Sequence, residues 1–311
     1  MDAIVRDRSR RVVLKGLGAL GVASALGTGR LHAAADSPLT KPIPSTGEQL
    51  PVIGMGSWIT FDVGDDKEAR AERVKVLRAF FDGGGAVVDS SPMYLSSQEV
   101  IGHCLQQIAN KDSLFAATKV WTLGKSIGIG QMEGSQNLWG VDRFDLLQIH
   151  NMVDWETHLE TLLDWKKQGR VRYIGITTSH GRRHDDMEEV MGTQPFDFVQ
   201  FTYNILDREA EERLLPLAAE RGQAVIINRP FRRGELIERF GSQPLPAWAD
   251  EIGCKSWAQF LLKFAVSHPA VTCAIPATSR VDHMQENMVA AYGPLPDADM
   301  RARMIAYVES L

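Results

Sequence analysis

The chain's 311 residues are enough for a short N-terminal leader and one large domain. A formal net charge of −5 repels phosphodiester backbones and excludes nucleic acid as a partner. Cys104, Cys254 and Cys273 sit among apolar neighbours without a Cys-x-x-Cys spacing. That excludes an evident disulfide framework, and the three read as buried small hydrophobes.

Residues 9–15, SRRVVLK, are basic and contain the adjacent Arg10 and Arg11. A Gly- and Ala-rich apolar run follows over 16–27, then Arg30 and small residues up to Ala35. Charged, then apolar, then small is the layout of an export signal. The apolar run is too short and too rich in glycine for a membrane span of about 20 residues. The paired arginines, with Ser9 before them and Leu14-Lys15 after them, resemble a twin-arginine signal. That resemblance implies a leader over 1–35 that meets the twin-arginine export machinery transiently, and a periplasmic location. It also implies a mature domain over 36–311 that folds before leaving a reducing cytoplasm. No other stretch reads as transmembrane, so no stable membrane anchor is expected.

From Leu50 onward, short apolar runs alternate with longer amphipathic ones. Strands are expected over 52–56, 86–90, 114–119, 145–150, 171–177, 198–201, 224–228 and 271–275, mostly continuously apolar as in strands buried on both faces. Between them the pattern predicts helices over 67–81, 98–108, 155–168, 183–190, 209–220, 255–266 and 281–291, with a weaker, Gly-rich one within 122–139. Gly83, Gly169 and Gly222 fall where helices should stop. Strands alternating with helices in this number predict an α/β fold of the (β/α)₈ TIM-barrel type. An open doubly wound sheet would want a Gly-x-Gly-x-x-Gly turn after its first strand, and GMGSW at 54–58 does not supply one.

In such a barrel the C-terminal strand ends carry the chemistry. Asp89, Lys119 and His150 each close an apolar run on three consecutive strands, and Tyr94 follows Asp89 closely. Taken singly they have plain explanations: a helix cap, a surface lysine, the last residue of a core strand. Together they suit carbonyl reduction. A lysine ammonium beside a phenol would lower its ordinary pKa of about 10. Asp89 would hold Lys119, and His150 would orient the substrate carbonyl. Tyr94 would then protonate the alkoxide formed when hydride reaches the carbonyl carbon.

These segments resemble the aldo-keto reductases. LPVIGMGSW, GGGAVVDSSPMY, TKVW, RFDLLQIHN, GRVRYIGIT and IPATSRVDHMQENM are similar to successive landmarks of that family along nearly all of the mature chain. The resemblance implies that Asp89, Tyr94, Lys119 and His150 form the catalytic tetrad, with Tyr94 as general acid. It implies NADPH as cofactor, with NADH possible, and an aldehyde or ketone as the small-molecule substrate. Thr278, Ser279 and Arg280 would hold the adenosine 2′-phosphate, and Glu286 and Asn287 the adenine. Thr177, Thr178 and Gln200 align with the nicotinamide contacts, and Asn228 and Arg229 occupy the wall where the family commonly has a stacking aromatic. An ordinary helix N-cap would also account for the Thr-Ser-Arg sequence, and a helix N-terminus is at once an anion site.

Some positions depart from the family pattern. Thr177-Thr178 replace Ser-Asn, Ala277 replaces a lysine that favours NADPH, and Leu95 replaces the glycine after the tyrosine, where it would narrow the site mouth. Trp58 and Trp121 lie just past strand ends and are expected to wall a substrate pocket, whereas Trp155 reads as scaffold packing. The chain ends too soon after Asn287 for both a long C-terminal loop and a helix, which implies an open site. Two other functions compete. A metal-dependent hydrolase could use His180 and His184 as ligands on one helix face, although the arginines between them would repel a cation. A sensing barrel could retain the cofactor pocket with little turnover.

Overall fold

The computed structural model describes residues 37–311, so the leader expected over 1–35 lies outside the described residues. The described part opens with a two-stranded antiparallel hairpin, β1 (Thr40–Pro42) and β2 (Gln49–Pro51). Eight parallel strands follow: β3 (Met55–Gly56), β4 (Val87–Asp89), β5 (Phe115–Val120), β6 (Phe144–Ile149), β7 (Val171–Thr177), β8 (Phe198–Thr202), β9 (Ala224–Asn228) and β10 (Cys273–Ala274). Each pairs with the next in chain order, and the parallel bridges Ile53↔Ala274 and Gly56↔Ala277 join the last edge to the first. This is the (β/α)₈ barrel that the alternation implied.

Side chains alternate across the barrel wall, because successive strand residues point to opposite faces. Val87, Phe115, Leu146, Tyr173, Phe198 and Ile226 fill the interior, while Val88, Ala116, Leu147, Ile174 and Val199 face the helices. The hairpin was not foreseen, since its strands are three residues each and carry prolines. It adds Ile43 and Leu50 to the interior cluster. Glu48 accepts hydrogen bonds from Arg172 and Tyr173 at the start of β7, which puts the hairpin at the N-terminal end of the barrel. Lys41 Nζ pins it there by donating to the carbonyls of Val266, His268 and Val271, each at 2.7 Å.

Around the barrel run α1 (Lys67–Asp82), α2 (Ser97–Gln106), α3 (Lys125–Trp139), α4 (Trp155–Lys167), α5 (His184–Thr193), α6 (Leu214–Arg221), α7 (Glu235–Phe240), α8 (Trp257–Ser267), α9 (Val281–Val289) and α10 (Ala298–Glu309). The helix expected over 209–220 divides into a 3₁₀ turn, Glu209–Glu211, and α6. Pro216 explains the break: it donates no amide hydrogen and its ring crowds the carbonyl four residues earlier, so a helix containing it must begin just before it. Gly222 ends α6 with φ of 65°, as its role as a stop requires. Beyond α9 a short connection leads to α10, in keeping with the expectation that this stretch cannot hold both a long loop and a helix. Trp155 packs against the core, and the three cysteines are free and buried, as the sequence implied. Among the described residues no helix is long and apolar enough to cross a membrane.

The weakly predicted α3 forms despite three internal glycines because it lies tightly on its neighbours. A Cβ on Gly102 of α2 would fall 1.8 Å from the Leu138 carbonyl oxygen of α3, so only glycine lets the two helices approach. We expect Gly102→Ala to destabilise the protein by about 1–3 kcal/mol through overpacking. Chemical denaturation would check this, with the neighbouring Gly130→Ala, which meets open space, as a control that loses nothing.

Candidate active site

Past the C-terminal ends of the strands lies a cleft of about 820 Å³. Beneath it, the strand ends supply a buried polar layer. Asp89 is the last residue of β4 and Lys119 the fifth of β5, and both are almost wholly inaccessible. Lys119 Nζ donates to Asp89 Oδ2 at 2.5 Å and to the Ser90 carbonyl at 2.9 Å. The other Asp89 oxygen accepts from Gln148 Nε2 at 2.9 Å and Gln200 Nε2 at 3.2 Å. Burial pulls the Lys119 ammonium below its ordinary value, and the Asp89 carboxylate opposes that pull.

Tyr94 stands in the loop between β4 and α2, half-buried and facing the cleft. Its ring lies 5.4 Å from Lys119 Nζ and meets the His150 ring edge-on, with centroids 5.6 Å apart. The expectation that Lys119 lowers the phenol pKa is corrected. Burial, followed by the charge of Asp89, raises it above its ordinary value of 10.0. The phenol is withdrawn from water, and the support that Lys119 could give a phenolate is partly balanced by Asp89 at direct contact, so the net shift is upward.

His150 begins the 3₁₀ turn that follows β6, and Ser91 Oγ lies 2.7 Å from its Nδ1. Ser91 Oγ also accepts from the Met93 amide at 3.1 Å. When the Ser91 hydroxyl donates to Nδ1, the ring proton of the neutral imidazole lies on Nε2, the tautomer that can donate to a ligand in the cleft. Burial, then the like charge of Lys119, holds the imidazole well below its ordinary value of 6.5, so it is neutral at pH 7.

The residues singled out in the sequence fall into three groups. Trp58, Thr177, Thr178, Gln200, Asn228, Arg229, Thr278, Glu286 and Asn287 line the cleft together with Asp89, Tyr94 and His150. Of these, Gln200 turns its amide into the Asp89 layer, and Asn228 spends its amide on the Thr178 carbonyl and the Thr202 hydroxyl. Asn287 lines the cleft at 2 % exposure, and its side-chain amide has no protein partner among the described residues. Ser279 and Arg280 lie outside the lining, and Arg280 is taken up by Asp282. Trp121, expected as a second wall, is 41 % exposed and also lies outside it. Leu95 is 80 % exposed with φ of 51°, so it occupies a left-handed position that suits glycine and does not narrow the mouth.

The reading of His180 and His184 as ligands on one helix face loses its geometry. His184 is the first residue of α5, whereas His180 stands in the preceding loop at φ of 66° with its Nε2 2.8 Å from Arg229 Nη1. No group of three His, Cys, Asp or Glu residues is placed to hold a metal ion among the described residues. Arg229 and Arg233 both line the cleft. Arg233 lies 4.0 Å over the Trp58 ring, which brings together the loops that follow β9 and β3. Gln148, Ser57 and Ser91 escaped the sequence reading. A glutamine inside the apolar run LLQI was the available signal for the first, since an interior polar residue needs a partner.

A family model described as the aldo/keto reductase family matches residues 52–305. The chain is 26 % identical over 267 residues to the methylglyoxal reductase YeaE of Escherichia coli (strain K12), covering 83 % of this chain and 91 % of that one. Among solved structures, the thermostable aldo-keto reductase Tm1743 superposes with a TM-score of 0.72 at 26 % identity, covering 86 % and 99 % of the two chains. An aldo/keto reductase of Klebsiella pneumoniae, in complex with NADP and acetate, gives 0.71 at 24 % identity, covering 84 % and 92 %. A parallel barrel with its polar chemistry at the C-terminal strand ends defines the class, and this chain belongs to the aldo/keto reductase family.

The buried, neutral His150 has a consequence for stability. Its folded pKa is lowered, so below pH 6.5 the unfolded chain takes up a proton that the folded protein refuses. Stability therefore rises with pH through that value and falls on acidification. Between pH 7 and pH 5 the expected loss from this one group is about 2 kcal/mol. Urea unfolding across that range would show it, and histidine NMR should find no His150 titration between pH 6 and pH 8.

Proposed function

We propose that the protein reduces an aldehyde or ketone to an alcohol with NADPH, or with NADH, and that Tyr94 is the proton donor. The observation that carries this reading is a phenol in the cleft, edge-on to the His150 ring and beside the Asp89–Lys119 pair. The fit of a nicotinamide nucleotide is supported by the length of the cleft, which runs from Tyr94 past Asn228 to Asn287 at α9. Thr177, Thr178 and Asn228 would lie along its nicotinamide end, and Thr278, Glu286 and Asn287 along its adenosine end. When bound, the nucleotide supplies hydride to the carbonyl carbon.

The chain's own residues then have separable tasks. His150 Nε2–H donates to the substrate oxygen and orients it. Tyr94 Oη passes its proton to that oxygen as negative charge develops there, and the nearby Lys119 stabilises the phenolate that remains. Asp89, with Gln148 and Gln200, keeps Lys119 in place. A raised phenol pKa ensures that the proton is present before the reaction. Relatives support the substrate class: one is named a methylglyoxal reductase, another an aryl-alcohol dehydrogenase [NADP(+)].

Replacing Tyr94 by Phe should lower aldehyde-dependent NADPH oxidation by about 10²–10⁴-fold while leaving NADPH binding intact. An unmodified protein that binds NADPH yet reduces nothing in a broad carbonyl panel would instead favour the sensing role.

We also infer that residues 1–35 are a twin-arginine export signal and that the protein works in the periplasm. The order of basic, apolar and small segments around Arg10 and Arg11 supports this. Fractionation of cells expressing the full chain should find a shortened protein in the periplasm, and Arg10→Lys with Arg11→Lys should retain it in the cytoplasm. Cytosolic protein with an intact leader would refute the assignment.

A further inference from the structure

At the adenosine end of the cleft the start of α9 offers a place for an anion. The helix α9 starts at Val281, and its N-cap residue, Arg280, makes no side-chain cap and so leaves the partial positive charge of the helix start unanswered. Nearly two turns further on, the buried Asn287 lines the cleft, and its side-chain amide, without a protein partner among the described residues, remains available to the adenine. Thr278, which lines the same end, spends its hydroxyl on the Arg280 amide at 3.1 Å. A phosphate on the adenosine ribose would need a cation at this end, and Arg280 is the nearest one along the chain.

That cation is already engaged. Arg280 Nε donates to Asp282 Oδ1 at 3.0 Å, and its Nη2 pairs with Asp282 Oδ2. Asp282 Oδ1 also accepts from the His283 amide at 3.0 Å. The carboxylate therefore occupies the guanidinium and takes up a first-turn amide of α9, the two groups that a phosphate would use. Ala277 offers no second cation, and Arg73, which also reaches this segment, spends its guanidinium on the carbonyls of Thr60 and Ser279. Glu286 brings another acidic side chain to the same rim of the cleft.

Resting on the nucleotide reading above, we propose that Asp282 is a specificity-determining residue. It competes with the 2′-phosphate for Arg280 and the start of α9, and so removes most of the preference for NADPH over NADH. A dephosphorylated ribose neither needs Arg280 nor meets Asp282 as a rival. The pair is 62 % exposed on both sides, so it is labile and the competition is graded rather than absolute.

The test is equilibrium binding, read from nucleotide fluorescence with NADPH and NADH in parallel, and it does not depend on turnover. In the unmodified protein the two dissociation constants should agree within about ten-fold. Asp282→Asn, which keeps the amide acceptor and removes the charge, should tighten NADPH by about three- to ten-fold and leave NADH within about two-fold. Arg280→Met should weaken NADPH far more in the Asp282→Asn background than alone, because only there is the guanidinium free. NADPH affinity unchanged by Asp282→Asn, or both nucleotides altered equally, would overturn the inference while leaving the reductase reading intact. Failure of the unmodified protein to bind either nucleotide would remove the nucleotide reading and this inference with it.

Discussion

The rest of the site depends on one buried ion pair, Asp89 with Lys119 at 2.5 Å. Removing two charges from water costs more than their attraction returns unless every remaining donor and acceptor is also satisfied. In this barrel nearly all of them are. Lys119 has the Ser90 carbonyl as a second acceptor, and the second Asp89 oxygen is shared by Gln148 and Gln200. Those partners come from β5, β6 and β8, so the pair ties together strands that the apolar interior alone would leave free to slide. Loss of either charge would strand the other, a defect worth about 3–5 kcal/mol. The pair is thus part of the barrel as much as of its chemistry.

Its completeness also determines what Tyr94 can do. Burial, followed by the charge of Asp89, keeps the proton on the phenol, and Asp89 also balances at contact the lysine that would make it acidic. Burial, and then the like charge of Lys119, keeps His150 neutral. Burial above a charged pair therefore leaves both Tyr94 and His150 in the protonation state that carbonyl reduction needs at neutral pH. Electrostatic support for a phenolate remains available at 5.4 Å once charge develops there.

Much of this was legible in the sequence because it depends on residues local to each strand. Apolar runs ending in Asp89, Lys119 and His150 disclose both the barrel and the floor of its cleft, since parallel strands put their last residues on one rim. Elements whose form depends on distant partners were harder to read. β3 and β10 are two residues each, shorter than the apolar runs that contain them, because the barrel closes there through isolated bridges. The N-terminal hairpin and α7 are too short to show a period, and Pro216 moves the start of α6 for a steric reason that periodicity does not register. In the site, the direction of the Tyr94 shift is not legible from the sequence, because the proximity of Lys119 can be read there and the burial that outweighs it cannot. Ser91 and Gln148 are likewise ordinary residues until the fold brings His150 and Asp89 against them.

Proton donation by Tyr94 requires that the empty site hold its phenol protonated. Carbon-13 labelling of the tyrosine ring carbon that bears the hydroxyl, followed by an NMR pH titration of the nucleotide-free protein, measures this directly. The signal that disappears in Tyr94→Phe identifies the residue. It should remain that of a neutral phenol through pH 10, the ordinary midpoint for tyrosine. Ionisation of Tyr94 near neutral pH would show that Lys119 acts on it unscreened, and would contradict the screening of that charge by Asp89.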